Sequence, residues 1–204
     1  ATTKGYFTQV LLLSFLMLNY YQNSIDLNKY LKELNNLCNK VTKVINNNEY
    51  EKLAKEVYKN EDVYFIGRGI DYSLCLEASL KLKEISYIHS DAYPAGELKH
   101  GPIALIENNT PVFVLITDDK LKDKTLSNAI EAKARGAKLY LILKDGINVD
   151  KSLFTNIIII PATLDFYQPL INIIPFQLIA FYIAKLRNCD IDKPKNLTKS
   201  VTVE

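Results

Sequence analysis

The chain has 204 residues, 48% hydrophobic and 24% charged, a globular composition and not a disordered or fibrous one. That length corresponds to one domain, or one domain with a helical appendage, and it buries enough surface to fold without disulfides or a metal. The 25 Lys and Arg against 23 Asp and Glu leave a net charge of +2, too small for a nucleic-acid or polyanion partner.

In chain order, the opening reads as a helix. Thr2 or Thr3 can act as N-cap, and a mostly apolar stretch runs from Phe7 to Tyr21. A second helix fits Leu27 to Asn46, with Leu27, Leu31, Leu34, Leu37, Val41 and Val44 spaced by three or four. The Asn46-Asn47-Asn48 run is a turn, and Glu49 to Tyr58 reads as a short third helix. The pattern then changes. Val63 to Ile66 is a short apolar run that ends in Gly67-Arg68-Gly69, a buried strand meeting a tight turn. A helix from about Tyr72 to Ser86 follows it. Pro111–Thr117, Lys138–Leu143 and Asn156–Ile160 are further buried strands, separated by helices at Leu121–Arg135 and, last, Gln168–Arg187. Strands alternating with helices at these lengths predict βαβ units around a mostly parallel sheet.

Two apolar stretches invite a membrane reading. Val10–Leu18 is too short and carries Ser14. Phe166–Ala184 has no charge, but it contains Gln168, Pro169, Asn172, Pro175 and Gln177 and closes an α/β pattern. A helix apolar on all sides belongs in a core or an interface, so no membrane partner is expected. Cys38, Cys75 and Cys189 are odd in number and scattered, and His89 and His100 are the only histidines. No zinc spacing results, and three reduced thiols point to the cytoplasm. The only methionine is Met17 and no signal-peptide pattern opens the chain, so a segment of a longer protein is expected.

Gly67-Arg68-Gly69 lacks the third glycine of a dinucleotide fingerprint, since Tyr72 stands in its place, and no Gly-Lys-Ser/Thr follows for a P-loop. The two glycines serve turn geometry. Glu77, Lys81 and Glu84 stand at i, i+4 and i+7 and share one helix face. That is either a solvated stripe of weak ion pairs or a functional array. The next segment crowds His89, Asp91, Tyr93, Glu97, Lys99 and His100 beside Gly96 and Gly101. A carboxylate with a histidine nearby is the minimum equipment for moving protons on a carbon acid.

Leu80-Lys81-Leu82-Lys83-Glu84-Ile85-Ser86-Tyr87-Ile88-His89 and Gly96-Glu97-Leu98-Lys99-His100-Gly101-Pro102 closely resemble the isomerase half of the glutamine–fructose-6-phosphate aminotransferases, or glucosamine-6-phosphate synthases. The ending from Asp192 to Glu204 resembles that family's tail almost residue for residue, and Ala1-Thr2-Thr3-Lys4 its junction between two sugar isomerase (SIS) domains. The resemblance covers essentially the whole chain. It implies a three-layer αβα SIS-type domain at residues 61–187, a helical linker at 1–60 and an irregular active-site tail at 188–204.

The resemblance also implies roles. Glu84 matches the glutamate that shuttles a proton between C1 and C2 of the sugar. His100 matches a histidine that assists ring opening from the neighbouring subunit of a homodimer. Lys199 matches the tail lysine that forms a Schiff base with the open-chain ketose. Glu77, Lys81 and Thr198 match residues that support the substrate. No metal and no cofactor are implied. Lys195 departs from a usual arginine, Thr198 from an alanine and Thr2 from a serine; the first weakens any bidentate contact to a carboxylate there.

The family carries a glutaminase domain and a first SIS domain upstream, and the Ser/Thr-rich loops of the latter hold the sugar phosphate. Here the strand-end loops Gly69-Ile70-Asp71 and Thr117-Asp118-Asp119 are acidic and poor in hydroxyls, and are expected to repel a phosphate. The implied function is synthesis of glucosamine 6-phosphate and glutamate from fructose 6-phosphate and glutamine, with this segment supplying the isomerase chemistry. The rival readings are an SIS-type phosphosugar-binding or dimerisation module, and a related phosphosugar isomerase or deglycase.

Overall fold

The structure is a computed structural model that describes residues 2–197. Three helices open it: α1 (Thr3–Tyr21), α2 (Leu27–Ile45) and α3 (Glu49–Val57). Thr2 holds the N-cap position of α1 but makes no capping hydrogen bond, whereas Asp26 caps α2 by accepting the Lys29 N–H at 3.2 Å. The apolar stripe of α2 faces inward at Leu37 and Val44, and Leu31 points out. On α1, Leu12, Leu13, Phe15, Leu16, Met17 and Tyr20 are exposed, so this helix shows an apolar face to the outside.

The alternating part follows as β1 (Asp62–Gly67), α4 (Ile70–Ser86), β2 (His89–Pro94), β3 (Pro111–Ile116), α5 (Lys122–Lys133), β4 (Lys138–Lys144), β5 (Asn156–Ile160) and α6 (Gln168–Leu186). Every pairing in the five-stranded sheet is parallel, in the order β2-β1-β3-β4-β5. The strand β2 is not anticipated by the apolar pattern. Its residues His89, Asp91 and Pro94 suit an edge, and only Ser90 is buried. Two short 3₁₀ turns, Ala95–His100 and Pro102–Leu105, lead from β2 to β3.

Alternation along the strands divides the core. Val63, Phe65, Phe113, Leu115, Tyr140 and Ile142 face α4, α6 and the opening helices. Tyr64, Ile66, Val112, Val114, Leu139 and Leu141 face α5 and the 3₁₀ turns. The result is the expected three-layer architecture. Phe113 is its centre, stacked between Phe65 (5.1 Å) and Tyr140 (5.3 Å) with Phe176 edge-on. By length and composition α6 could cross a membrane, yet 61% of its apolar window is buried inside the protein. It is the core helix of one face.

The glycine turn behaves as its sequence implies. A Cβ at Gly67 would stand 2.7 Å from the Asp71 carbonyl carbon, and Gly69 has a φ of +57°. Strand and helix therefore approach too closely there for a side chain.

Candidate functional site

The face of α4 is not a solvated stripe. Lys81 is 4% exposed, and its Nζ lies 2.6 Å from Glu84 Oε2 and 3.4 Å from Glu77 Oε1. The two carboxylate side chains keep 17% and 19% exposure, so one buried cation holds two carboxylates that still reach the surface. Such an ion triad is fixed in orientation, because burial strips the lysine of its hydration and only the two carboxylates compensate for that loss. Helix periodicity supplies the spacing, and the tertiary packing around α4 supplies the burial.

From the opening helix, Tyr6 comes near this array. Burial and the negative charge of Glu77 push its phenol up to about 12, which keeps a neutral hydroxyl beside the carboxylate. Nothing in the alternating pattern signals Tyr6; it lies just beyond the opening Ala-Thr-Thr-Lys match.

His100 ends the first 3₁₀ turn and is exposed. Among the described residues it makes no hydrogen bond or ion pair with Glu77, Lys81 or Glu84, so one chain does not join them. Beside this turn Arg68, just after β1, donates from Nη2 to Asn128 Oδ1 of α5 at 2.8 Å. His89 instead pairs with Asp62, Nδ1 to Oδ1 at 2.6 Å, on the outer end of β2.

Thr198 and Lys199 lie outside the described residues. The chain before them returns from α6 to the C-terminal end of α4. There the Lys195 N–H donates to the Tyr87 hydroxyl at 2.8 Å, and Lys195 Nζ sits 4.4 Å from the ring centroid. Lys195 thus meets an aromatic face, and among the described residues it forms no ion pair with a carboxylate. An arginine would stack on the same ring.

At the carboxyl ends of β1 and β3, Asp71 is 3% exposed and accepts both the N–H of Thr117, at 2.8 Å, and its hydroxyl. Burial raises its carboxyl to about 6 against the lowering effect of those two hydrogen bonds. Asn172 Nδ2 donates to the same hydroxyl at 3.1 Å, and Gln168 Nε2 to Asn172 Oδ1 at 2.7 Å. Asp71 is therefore an internal acceptor and not a charge facing an incoming anion, contrary to its expected place in a repelling loop. The outcome for phosphate is similar. The cleft here, about 370 Å³ and lined by Ile70, Thr117, Asp118, Asp119, Lys120, Lys144, Asp165 and Gln168, sets three carboxylates against two lysines and offers one hydroxyl, already taken by Asp71 and Asn172. Sequence spacing hides this network because its members lie 46 and 55 residues apart. No group of three His, Cys, Asp or Glu among the described residues could hold a metal ion.

Comparison with known proteins places these residues in context. The SIS domain model matches residues 56–187. Over its full length the chain is 45% identical to a glutamine–fructose-6-phosphate aminotransferase of Caldanaerobacter subterraneus and 47% identical to that of Clostridium tetani. It spans 34% of each, about a third of the length of these curated relatives. Among solved structures, the C-terminal domain of the Francisella tularensis glucosamine-fructose-6-phosphate aminotransferase superposes with a TM-score of 0.88 at 37% identity, over 95% of this chain and 57% of that one.

Proposed function

This chain belongs to the SIS domain family, which its residues 56–187 match, and on that premise we propose that it is the carboxy-terminal isomerase segment of a glutamine–fructose-6-phosphate aminotransferase. The observation that carries the reading is the Glu77–Lys81–Glu84 array, a buried lysine presenting two carboxylates inside the motif that matches the family. The division into a helical linker (1–60), SIS domain (61–187) and tail (188–204) belongs to the same reading.

In the proposed reaction the Lys199 amine adds to C2 of open-chain fructose 6-phosphate and water leaves. Ammonia from glutamine then displaces the lysine. The Glu84 carboxylate removes a proton from C1 of the C2 imine and returns it to C2, giving the amino aldose. Lys81 fixes the Glu84 carboxylate, while Glu77 and Thr198 complete the substrate contacts. His100 of a second subunit assists ring opening; on its own chain, among the described residues, it makes no hydrogen bond or ion pair with the array. The exposed apolar face of α1 supports a homodimer or packing on upstream domains. A sugar phosphate is the substrate, held by loops of an upstream SIS domain, since the strand-end cleft here has no free hydroxyl cradle. Three free thiols support a cytoplasmic location.

The test uses the full-length protein with fructose 6-phosphate, borohydride trapping and C1 proton exchange. Lys199→Arg should give no trapped adduct, because a guanidinium stays protonated and is not nucleophilic. Glu84→Gln should still bind sugar while exchange falls by about 10²–10⁴-fold. An adduct with Lys199→Arg, or undiminished exchange with Glu84→Gln, removes that residue from the mechanism.

A further inference from the structure

We infer that Tyr87 is a positioning residue: it fixes the C-terminal tail to the end of the helix that carries Glu84, so that tail and carboxylate are presented together. The inference rests on the proposed roles of Glu84 and Lys199.

The first observation is conformational. Helix α4 ends at Ser86, and Tyr87 takes a left-handed backbone, φ 58° and ψ 20°. That region is the ordinary place of glycine after a helix, because a Cβ there crowds the following carbonyl at a cost of about 1–2 kcal/mol. The other left-handed residues with side chains among those described are Asn109, Asn188 and Asn196, the residue type that best tolerates it. An aromatic ring at this position is the outlier.

The second observation is what the conformation achieves. It brings the ring to the returning tail, where two contacts of different chemistry converge on one residue. The hydroxyl accepts the Lys195 N–H at 2.8 Å, and the face of the ring lies 4.4 Å from the Lys195 ammonium. The tail arrives already shaped: Asp190 Oδ1 accepts the N–H groups of Asp192 and Lys193 at 3.0 and 2.8 Å, and Pro194 is buried. Glycine at 87 would serve the helix end as well or better, but it would supply neither contact. The position trades local stability for a hold on the tail.

Spacing links the contact to chemistry. Glu84 precedes Tyr87 by three residues, less than one helical turn. Lys199 follows Lys195 by four residues, and an extended chain of that length reaches no farther than about 14 Å. With Lys195 fixed, the encounter of the tail with sugar held near Glu84 is intramolecular and restricted to a small volume.

The experiment compares Tyr87→Gly, Tyr87→Asn and Tyr87→Phe in the full-length protein. Tyr87→Gly and Tyr87→Asn should unfold in urea at the same or a higher midpoint than the parent. Borohydride trapping of fructose 6-phosphate should nevertheless slow by about tenfold or more, with kcat falling and KM nearly unchanged. Tyr87→Phe keeps the ring under Lys195 and should fall between. Wild-type trapping rates in Tyr87→Gly, or losses of stability and trapping that run in parallel across the three variants, would overturn the inference. Its failure differs from failure of the functional reading. If the parent forms no adduct, or Lys199→Arg still forms one, the reading falls; if both controls behave and Tyr87→Gly traps normally, only the role of Tyr87 falls.

Discussion

The guanidinium of Arg68 rests against Gly96. A methyl group on that backbone would stand 2.7 Å from Arg68 Nη2 and 3.3 Å from its Cζ. Arg68 leaves the end of β1, and Gly96 lies in the 3₁₀ turn that ends at His100, so this contact sets where the turn sits over the sheet. Gly96→Ala should displace the guanidinium, break its hydrogen bond to Asn128 and destabilise the protein by about 1 kcal/mol, the worth of that bond. Combined with Arg68→Ala the cost should be less than the sum, because the clash then has no partner. Urea denaturation of the two single variants and the double variant measures this; strict additivity would refute it.

Lys81→Met should be among the most destabilising changes on α4. It leaves Glu77 and Glu84 facing each other without their shared cation, at a cost of about 3 kcal/mol. Adding Glu77→Gln should recover part of that loss by removing one unpaired carboxylate. Unfolding free energies of the pair check it, and no recovery in the double variant would show that Lys81 acts through packing alone.

Asp71 gives the stability a defined pH dependence. Its carboxyl moves from 3.8 to about 6 on folding, chiefly through burial. A raised acid binds its proton more tightly in the folded state, so its stabilising effect is complete below about pH 4 and is lost as pH rises through 6. The difference corresponds to about 3 kcal/mol. Asp71→Asn, which keeps an acceptor for the Thr117 N–H, should therefore flatten the stability profile between pH 4 and 7 relative to the parent. Parallel profiles for the two proteins would contradict this.

Phe113→Ala should cost about 3–5 kcal/mol, because the ring is fully enclosed by three aromatic neighbours that cannot all collapse into the space. The change removes no group of the Glu77–Lys81–Glu84 array, so the fraction that stays folded should retain substrate trapping. Thermal unfolding and trapping, measured together, test both statements.

Much of this molecule is legible from local pattern. The strands β1, β3 and β4 are continuous apolar runs because both faces of the sheet are covered there, β5 is an apolar run at an edge, and the helices between them carry readable turns. The shared face of Glu77, Lys81 and Glu84 follows from helical spacing alone. That Lys81 is buried does not, since burial depends on what the fold packs around α4 and not on helical spacing. The strand β2 escapes the pattern because an edge carries charge where an inner strand cannot. Asp71 reads as a loop acid, and only the fold reveals Thr117 beside it. Tyr87 stands inside a recognisable motif, yet its left-handed backbone and its hold on Lys195 have no local signature. Thr198 and Lys199 lie beyond the described residues, and the borohydride experiment addresses them directly.

The two edges of the sheet are unlike, and this bears on how the protein survives partial unfolding. One edge is β2, where His89, Asp91 and Pro94 discourage a foreign strand from pairing. The other is β5, an asparagine followed by four isoleucines, with Ile159 48% exposed and only Pro161 to stop the run. Short, uncharged and β-branched, that segment has the composition of a cross-β nucleus. Heating the protein past its midpoint should accordingly give insoluble material templated from β5, and its solubility on refolding is governed by a strand that lies away from the Glu77–Lys81–Glu84 array.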